Sequence, residues 1–438
     1  MNNKTFSILT LGCRVNQYEA DCISEVLLER GFEQVPFGTG ADIAIVNTCT
    51  VTSESDRKSR QMIRRAVSAS NGGHVIVTGC FAETGRSTVD SISGVSYITG
   101  NGKKSEIPNV IDKLMAGQTV PSDNTDISEA AFDVMSLKTP QRTRSYIKIE
   151  DGCDSKCAYC IIPKARGSVR SKPYDVIIEE GRALYEAGCR EVILTGIETA
   201  AYGKDFAKEP FYGYSLAKVI NGIADIGYER IGLGSLDPTV MNDGFVSAIS
   251  NIPSLMPHFH LSVQSGCTTV LNRMRRRYNA KMLEECIGRL KAAIPDVTLS
   301  ADIITGFPGE TDEEFAETLE FIRKTEFLHL HIFPYSIREG TAAAAMKDQI
   351  SGDVKSARLH TLSEEQEKIK KALCEAYVAS HKASPVSVLV EKVTEGIAYG
   401  HSEHFAEIEF SGSECLVGKT VKVVLTDTDG EICKGNIL

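Results

Sequence analysis

Three cysteines on one short segment are the residues of this chain with the clearest chemical potential. Cys153, Cys157 and Cys160 are spaced C-x3-C-x2-C. Three thiolates on one loop can hold three irons of a [4Fe–4S] cluster and leave the fourth iron open to a small ligand. The alternative is a zinc site, but zinc favours four closing ligands in paired C-x2-C units, and no second pair lies nearby in the sequence. The spacing therefore predicts an iron–sulfur cluster with one open position.

Three further cysteines each follow a predicted buried strand in the first part of the chain. Cys13, Cys49 and Cys80 come directly after strands, and helical patterns over 17–30 and 53–69 separate those strands. The β-α-β-α-β alternation predicts a parallel sheet, and ligands of such sheets lie beyond the carboxyl ends of the strands. The pattern favours a second three-cysteine cluster site. The alternative is that small cysteines merely pack at the strand ends.

The length, cysteine count and apolar runs of the chain limit the classes of protein to which it can belong. The 438 residues include 13 cysteines and carry a net charge of −10. No apolar run approaches the roughly 18 residues of a membrane span, and no secretory h-region follows Met1. An odd number of cysteines without such a signal argues against a disulfide framework. We expect a cytoplasmic protein without a membrane partner, whose thiols stay reduced and available for metal.

The rest of the chain predicts two more structural units. Between about 144 and 333, six predicted strands alternate with amphipathic helices. Six βα units make three quarters of a (β/α)8 barrel, so the count favours an open partial barrel over a closed one. A charged helix at 353–380 precedes alternating strands that predict a small β-barrel. The predicted fold is α/β, with a first domain at 1–117, a linker at 118–140, the partial barrel at 141–380 and a β domain at 381–438.

Four arginines lie close together after the fourth predicted barrel strand: Arg273, Arg275, Arg276 and Arg277. The negative net charge argues weakly against a nucleic-acid partner, and runs of charge are usually solvated helix faces. The group nevertheless stands beside the edge at which barrel enzymes build their sites. We therefore predict that these arginines contact RNA phosphates.

Several motifs of the chain resemble one known family. Segments 10–19, 47–52 and 78–80 are similar to the N-terminal domain of radical S-adenosylmethionine (SAM) methylthiotransferases, and the C-x3-C-x2-C loop follows where that family has it. Further similar segments are 194–196, 264–266, 302–310 and 333–336. The resemblance implies an open (β/α)6 barrel and a TRAM-like β-barrel at the C-terminus. It also implies two [4Fe–4S] clusters, one on each cysteine triad, with SAM as a second cofactor.

The resemblance further implies a chemistry and a set of SAM contacts. One SAM supplies a methyl group to a sulfur at the first cluster, and another is cleaved to a 5′-deoxyadenosyl radical that takes a hydrogen from an unactivated C–H bond. An external electron donor and a sulfur source are required partners. The implied SAM contacts are Tyr159, Gly196, Glu198, Ser235, Gln264 and Asp302. Relatives are expected to carry histidine in place of Glu198, which could equally be a solvated carboxylate, and Asp302 could be purely structural.

Segment 11–19 indicates which of the family's substrates to expect. It looks most like the branch that installs a methylthio group at C2 of N6-threonylcarbamoyladenosine, at position 37 of tRNA. A base of the anticodon stem-loop suits such a site because loop bases can splay out into a pocket. The alternatives within the family are isopentenyladenosine and a ribosomal-protein aspartate. Outside it, they are a non-catalytic iron–sulfur protein that binds RNA or senses redox state, and a conventional radical-SAM enzyme whose first domain only packs.

Overall fold

A parallel sheet covered by helices forms the N-terminal unit of the computed structural model, which describes residues 4–206 and 208–438. The strand order is β2-β1-β3-β4-β5 and every pair is parallel. The strands are β1 (Thr5–Thr10), β2 (Glu33–Gln34), β3 (Ile43–Thr48), β4 (His74–Gly79) and β5 (Tyr97–Ile98). The helices are α1 (Arg14–Glu29), α2 (Ser53–Ala69), α3 (Cys80–Thr84), α4 (Arg86–Asp90) and α5 (Ile107–Met115). Because the sheet is covered on both faces, its central strand β3 is buried along its whole length.

The segment between α5 and the next unit is irregular but closely bonded. It contains no helix or strand, yet Tyr18 of α1 donates to the Met135 carbonyl at 2.6 Å. The Glu25 carboxylate accepts from the backbone of Lys138 at 2.9 Å and of Thr139 at 2.8 Å. These bonds fasten the predicted linker along α1, so the first domain and the barrel are held in a fixed relation.

Six parallel strands form the second unit, in the order β6-β9-β10 and β11-β12-β13. A parallel bridge between Leu236 and Leu261 joins the two halves. Within the described residues no ladder joins β6 to β13, so the barrel is open on that side, as predicted. The strands are β6 (Ser145–Lys148), β7 (Glu150–Asp151), β8 (Arg170–Ser171), β9 (Glu191–Thr195), β10 (Arg230–Leu233), β11 (His258–Gln264), β12 (Thr298–Thr305) and β13 (His329–Pro334), of which β7 and β8 form a separate antiparallel pair.

Helices cover the outside of this arc. They are α6 (Ile162–Arg166), α7 (Tyr174–Glu186), α8 (Tyr214–Ala224), α9 (Asp243–Ile249), α10 (Thr268–Arg273), α11 (Ala280–Ala293) and α12 (Asp312–Thr325). On β11, Phe259, Leu261 and Val263 belong to the core that packs beneath the helices. The side chains of His258 and His260 therefore point to the opposite, inner face, which we call the lumen.

A long helix leads to the C-terminal β-barrel. Helix α13 (Gly352–His381) is 30 residues long and is N-capped by Ser351. The barrel closes in the order β14-β15-β16-β18-β17, which confirms the predicted small β unit. Its strands are β14 (Val386–Thr394), β15 (Ile397–Ser402), β16 (Glu407–Ser411), β17 (Thr420–Thr428) and β18 (Cys433–Ile437).

The turn between β15 and β16 closes one end of the partial barrel. Phe405 stacks on His258 with ring centroids 4.7 Å apart, and Arg230 donates to the Ser402 carbonyl at 2.7 Å. His258 and Arg230 are the first residues of their strands, so the β-barrel lies at the amino-terminal end. The loops that carry the cysteines lie at the other end. No described helix is both long and apolar enough to cross a membrane.

Candidate active site

The first cysteine triad lies along one edge of the N-terminal sheet. Cys13 follows β1 and caps α1, Cys49 follows β3, and Cys80 begins α3 directly after β4. Since β1, β3 and β4 are neighbours in the sheet, their carboxyl ends bring the three thiols together. Burial raises the pKa of the Cys49 thiol, and the nearby thiols of Cys80 and Cys13 raise it further.

Cys13 differs from its two companions in its surroundings. Cys49 and Cys80 are buried, whereas Cys13 is exposed. Desolvation nevertheless raises the pKa of the Cys13 thiol. Cys13 is therefore the member of this triad that solvent, or a substrate, can reach.

The second triad lies on the loop after β7. Gly152 has φ +89°, and a Cβ there would lie 2.0 Å from the Ser168 carbonyl oxygen, so only glycine lets the loop turn back on itself. The Cys153 amide donates to the Gly167 carbonyl at 3.0 Å. Burial raises the pKa of Cys153 to about 11 and, together with the adjacent thiols, that of Cys160 to about 12. Metal must displace these protons on binding, since it takes up thiolates.

The donor sets fit clusters better than single ions. Within the described residues no three Cys, His, Asp or Glu side chains converge on one ion position. A cluster of four irons holds its thiolates further apart than one zinc ion does, and it is bound by thiolates alone. Two separate triads, each at one loop edge and each without a fourth cysteine, are therefore suited to two clusters with an open iron.

Three contacts join the first triad's domain to the barrel. Arg338, on the loop after β13, donates to Thr50 Oγ1 at 2.8 Å and pairs with Asp56 at 2.8 Å. Ser336 of the same loop accepts from the Ser53 amide at 3.1 Å. These contacts fasten the loop that carries Cys49 to the last strand of the barrel.

A buried network of charges joins the first domain to the barrel beneath the cysteines. Glu19 of α1 pairs with Arg166 at 2.7 Å, with Lys148 at 2.9 Å and with Lys104, and Asp151 pairs with Arg166 at 3.1 Å. All five side chains are at most 2% exposed. Burial by itself would raise the pKa of Glu19, but the three cations hold it well below its ordinary value. Three cations against two carboxylates leave one positive charge, which thiolates nearby can balance.

The predicted arginine group is divided by the structure. Arg276 is 7% exposed, donates to the Cys157 sulfur at 3.2 Å and pairs with Asp237 at 3.3 Å. Arg273 forms a two-pronged ion pair with Glu314 at 2.9 and 2.5 Å. The guanidinium groups of these two arginines are occupied within the chain, and their contact with RNA stays a prediction. Arg275 and Arg277 are exposed and can still meet phosphates.

At the ends of β7 and β9 two carboxylates bracket a predicted SAM contact. The Glu150 carboxylate accepts from the Glu198 amide at 2.8 Å, and a Cβ on Gly196 would lie 2.6 Å from the same oxygen. Its other oxygen is buried without a hydrogen-bond partner among the described residues, and burial raises the pKa of Glu150. Burial, with Asp237 close by, raises the pKa of Glu198 to about 8. Sequence reasoning missed Glu150, whose signal was its place just before the cysteine loop.

The other predicted SAM contacts lie along the inner edge of the barrel. Tyr159 packs in an apolar cluster with Phe307 and Tyr335. Gln264 ends β11 with φ +70°, a left-handed conformation that is strained for this residue. The remaining two are bonded within the barrel: Ser235 to Ser262 at 2.8 Å, and Asp302 to His260 at 3.2 Å.

Comparison with known proteins agrees with this arrangement. Residues 147–322 match the model of the radical SAM superfamily, and residues 5–100 match that of an uncharacterized family, UPF0004. The chain is 35% identical to the threonylcarbamoyladenosine tRNA methylthiotransferase MtaB of Bacillus subtilis, covering 96% of this chain and 93% of the relative. It is 34% identical to the protein of that name from Thermotoga maritima, covering 99% and 98%.

More distant similarities extend the comparison. A tRNA-2-methylthio-N(6)-dimethylallyladenosine synthase of Erythrobacter litoralis is 31% identical, covering 99% of this chain and 97% of the relative. The solved radical SAM methyltransferase TsrM of Kitasatospora setae superposes with a TM-score of 0.57 at 12% identity, covering 78% and 77%, which shows a shared fold. This chain therefore belongs to the radical-SAM methylthiotransferase family, enzymes that work with [4Fe–4S] clusters and SAM.

Proposed function

We propose that this enzyme inserts a methylthio group at C2 of N6-threonylcarbamoyladenosine, at position 37 of tRNA. The observation that supports the proposal is that two cysteine triads follow the carboxyl ends of two adjoining parallel sheets, which are joined by Arg166 at the Cys80 sulfur and by Arg338 at Thr50. Full-length relatives named for this reaction support the substrate. When bound, the clusters and two SAM molecules supply the sulfur, the methyl group and the 5′-deoxyadenosyl radical.

In this proposal each cysteine triad holds one of the two clusters. Cys13, Cys49 and Cys80 hold the cluster that presents sulfur to the cleft. Cys13 is the outermost of them, so the base approaches from its side. The cluster that binds SAM rests on the second triad, Cys153, Cys157 and Cys160.

The methionine end of SAM lies beside Glu150, which packs directly against Gly196. The partnerless Glu150 oxygen is buried and can accept from an ammonium group, which would relieve the cost of leaving it unbonded. The small Gly196 allows the ligand to approach the backbone. Tyr159 and Gln264 are placed to border the adenosine end, and Ser235, Glu198 and Asp302 support the pocket wall.

The RNA is proposed to lie over the cysteine end of the barrel, with Arg275 and Arg277 on its phosphates. Both arginines are exposed on the loop after α10, beside the cysteine loop that Arg276 contacts. Because the β-barrel closes the opposite end, it is not placed to read the modified base. The electron donor and the sulfur source are external, and the cytoplasm is the location in which the tRNA meets all of them.

Mass spectrometry of tRNA nucleosides tests the proposal. Reconstituted enzyme is incubated anaerobically with SAM, a reductant and tRNA from a strain that lacks the modification. A methylthio group on threonylcarbamoyladenosine is the expected result. Its appearance only on isopentenyladenosine would move the enzyme to the sister branch, and no change in any nucleoside with intact SAM cleavage would point to a protein substrate.

A variant pair tests the role of the first triad in the same assay. Cys13→Ala is expected to abolish methylthiolation while SAM is still cleaved to 5′-deoxyadenosine, because the second triad is intact. Cys415→Ala, an exposed cysteine of the C-terminal domain, is the control and should behave as wild type. Undiminished methylthiolation by Cys13→Ala would show that the first domain only packs.

A further inference from the structure

The lumen of the partial barrel is unusually rich in imidazole and hydroxyl groups. His258 and His260 of β11 face it, and His260 accepts or donates to Ser300 of β12 at 2.9 Å. His331 of β13 meets His260 edge to face with ring centroids 5.2 Å apart. The carboxylate of Asp302 is already paired with His260 at 3.2 Å. A ligand that enters the lumen therefore meets several imidazole and hydroxyl groups that can donate or accept hydrogen bonds.

Arg14 adds a full positive charge to this space. It directly follows Cys13 and is exposed, and its guanidinium lies 6.0 Å from the ring centroid of Tyr146 on β6. Burial lowers the pKa of His258 and of His331, and the Arg14 charge lowers both further. Arg14 therefore extends from the first triad into the lumen, between β6 on one side and β11 and β13 on the other.

Apart from its position over the Tyr146 ring, the Arg14 guanidinium has no partner within the described residues. Across residues 4–206 and 208–438, it forms no ion pair with a carboxylate and no side-chain hydrogen bond. The neighbouring arginines of the site, Arg166 and Arg276, are both fully engaged. An arginine that borders a cleft and keeps its donors free is suited to a planar anion, because its fork matches a carboxylate in two-pronged fashion.

We propose that Arg14 binds the carboxylate of the substrate's N6 side chain, with the lumen hydroxyls and imidazoles receiving its remaining polar groups. This inference rests on the proposed function. The reacting carbon C2 must lie at the Cys13 triad, and N6 is the exocyclic nitrogen on C6 of the same six-membered ring. A side chain on N6 thus starts one ring width from C2 and reaches the space that Arg14 occupies.

The same geometry explains a preference between the two branches of the family. The threonylcarbamoyl group carries a carboxylate, a hydroxyl and a urea carbonyl, which can satisfy Arg14 and the lumen. A dimethylallyl group would bury the same groups without partners. Sites built for hydrogen bonding reject ligands that lack the matching polar atoms more strongly than apolar sites reject extra bulk.

Binding of modified anticodon stem-loops tests the inference. Full-length reconstituted enzyme with SAM but no reductant is titrated anaerobically with labelled stem-loops, and fluorescence anisotropy gives Kd. Three RNAs are compared: threonylcarbamoyladenosine, its methyl ester, and unmodified adenosine. Wild type is expected to bind the acid roughly ten- to hundredfold more tightly than the ester, since a charge-assisted pair is lost.

Variants assign that difference to Arg14. Arg14→Gln should bind acid and ester equally, and Arg14→Lys should keep part of the preference. The control is Arg64→Gln, an exposed arginine of α2, which should match wild type. Iron content is measured for each variant, because Arg14 adjoins Cys13. If Arg14→Gln loses iron, the acid-to-ester ratio of Arg14→Lys decides instead, and a ratio equal to that of wild type would count against Arg14.

Other results would overturn the inference. Equal binding of acid and ester by wild type would show that Arg14 does not bind the carboxylate. An unchanged acid-to-ester ratio in Arg14→Gln with full iron would show the same. If wild type nevertheless methylthiolates threonylcarbamoyladenosine, only the role of Arg14 has failed. If wild type neither binds nor modifies that nucleoside, the proposed function has failed and the inference fails with it.

Discussion

Arg276 donates a hydrogen bond from Nη1 to the sulfur of Cys157 at 3.2 Å. The first triad has a matching contact, in which Arg166 Nε donates to the sulfur of Cys80 at 3.4 Å. Each arginine is held by carboxylates of its own, Asp237 in one case and Glu19 with Asp151 in the other. Both triads thus share one design, a buried guanidinium fixed against a single sulfur.

Replacing Arg276 should make the SAM-binding cluster harder to reduce. Hydrogen bonds and positive charge at a cluster sulfur stabilise the more negative, reduced state, so Arg276→Gln should lower the midpoint potential, on the order of tens of millivolts. An EPR-monitored redox titration measures it in a background with Cys13, Cys49 and Cys80 all changed to Ala, which leaves one cluster.

The exposed neighbour Arg277 provides the control for this titration. Arg277→Gln removes the same positive charge from the same loop but breaks no contact with sulfur, so the midpoint potential of the cluster should stay at the parent value. Equal shifts in the two variants would mean that general charge, and not the hydrogen bond to Cys157, sets the potential.

The network around Glu19 should make Arg166→Met strongly destabilising. Removing the guanidinium takes away hydrogen bonds that the carboxylates of Glu19 and Asp151 accept in a dry interior, and breaking such a pair costs about 3–5 kcal/mol. Arg166→Lys keeps the charge and should cost less. Urea unfolding of the apoprotein, followed by circular dichroism, gives the free energy of unfolding.

An exposed ion pair provides the comparison for that measurement. Arg57 pairs with Glu54 on the surface of α2, with both side chains more than 60% exposed, and solvent screens such pairs. Arg57→Met should leave the unfolding midpoint unchanged. If Arg166→Met were equally harmless, the buried network would not hold the first domain to the barrel.

The sequence was sufficient for features that depend on local pattern. Six strands were predicted between about 144 and 333, and the six parallel strands of the barrel are observed there, because buried parallel strands are apolar runs between turn residues. The strand-end positions of Cys13, Cys49 and Cys80 followed from the same alternation.

Contacts between distant segments were beyond that kind of reasoning. Arg276 lies in a dense basic run, which locally resembles a solvent-exposed patch, and its partner Cys157 is 119 positions away. Nothing in the local sequence marks Glu19 and Lys104 as buried charges, yet they meet in the interior 85 positions apart. Only the packing of the first domain on the barrel decides which charges are buried, and no periodicity along the chain encodes it.

Docking of the C-terminal domain should weaken in mild acid through His401. Burial lowers the pKa of His401 from an ordinary value near 6.5 to about 4, although its hydrogen bond to Glu191 acts in the opposite direction. The unfolded chain takes up this proton below pH 6.5, whereas the folded chain does so only near pH 4. Stability present above pH 6.5 is therefore lost as the pH falls toward 4, by about 1–2 kcal/mol between pH 7 and pH 5.

Thermal or urea unfolding at several pH values measures this slope. His401→Gln should remove that part of the pH dependence, because no group titrates there. His360→Gln changes a histidine whose side chain is 78% exposed and should preserve the slope. A slope that survives in His401→Gln would place the responsible group elsewhere.

Gly12 should be indispensable for the first cluster because of its distance to Cys49. A Cβ at Gly12 would lie 2.8 Å from the Cys49 sulfur and 2.9 Å from its Cβ, and the residue has φ +97°. Gly12→Ala should therefore push Cys49 out of line with Cys13 and Cys80. After anaerobic reconstitution the iron content is expected to fall from about eight to about four per chain, the content of one remaining [4Fe–4S] cluster.

Gly72→Ala separates crowding from backbone strain in that experiment. Gly72 has a similar φ of +93°, but nothing lies within 4 Å of an added Cβ, so the variant carries the same left-handed strain without touching a cysteine. It should lose some stability and keep both clusters. Equal iron loss in the two variants would mean that backbone strain in the first domain causes the effect. Iron loss confined to Gly12→Ala would show that Cys49 can bind the cluster only when the residue packed against it has no side chain.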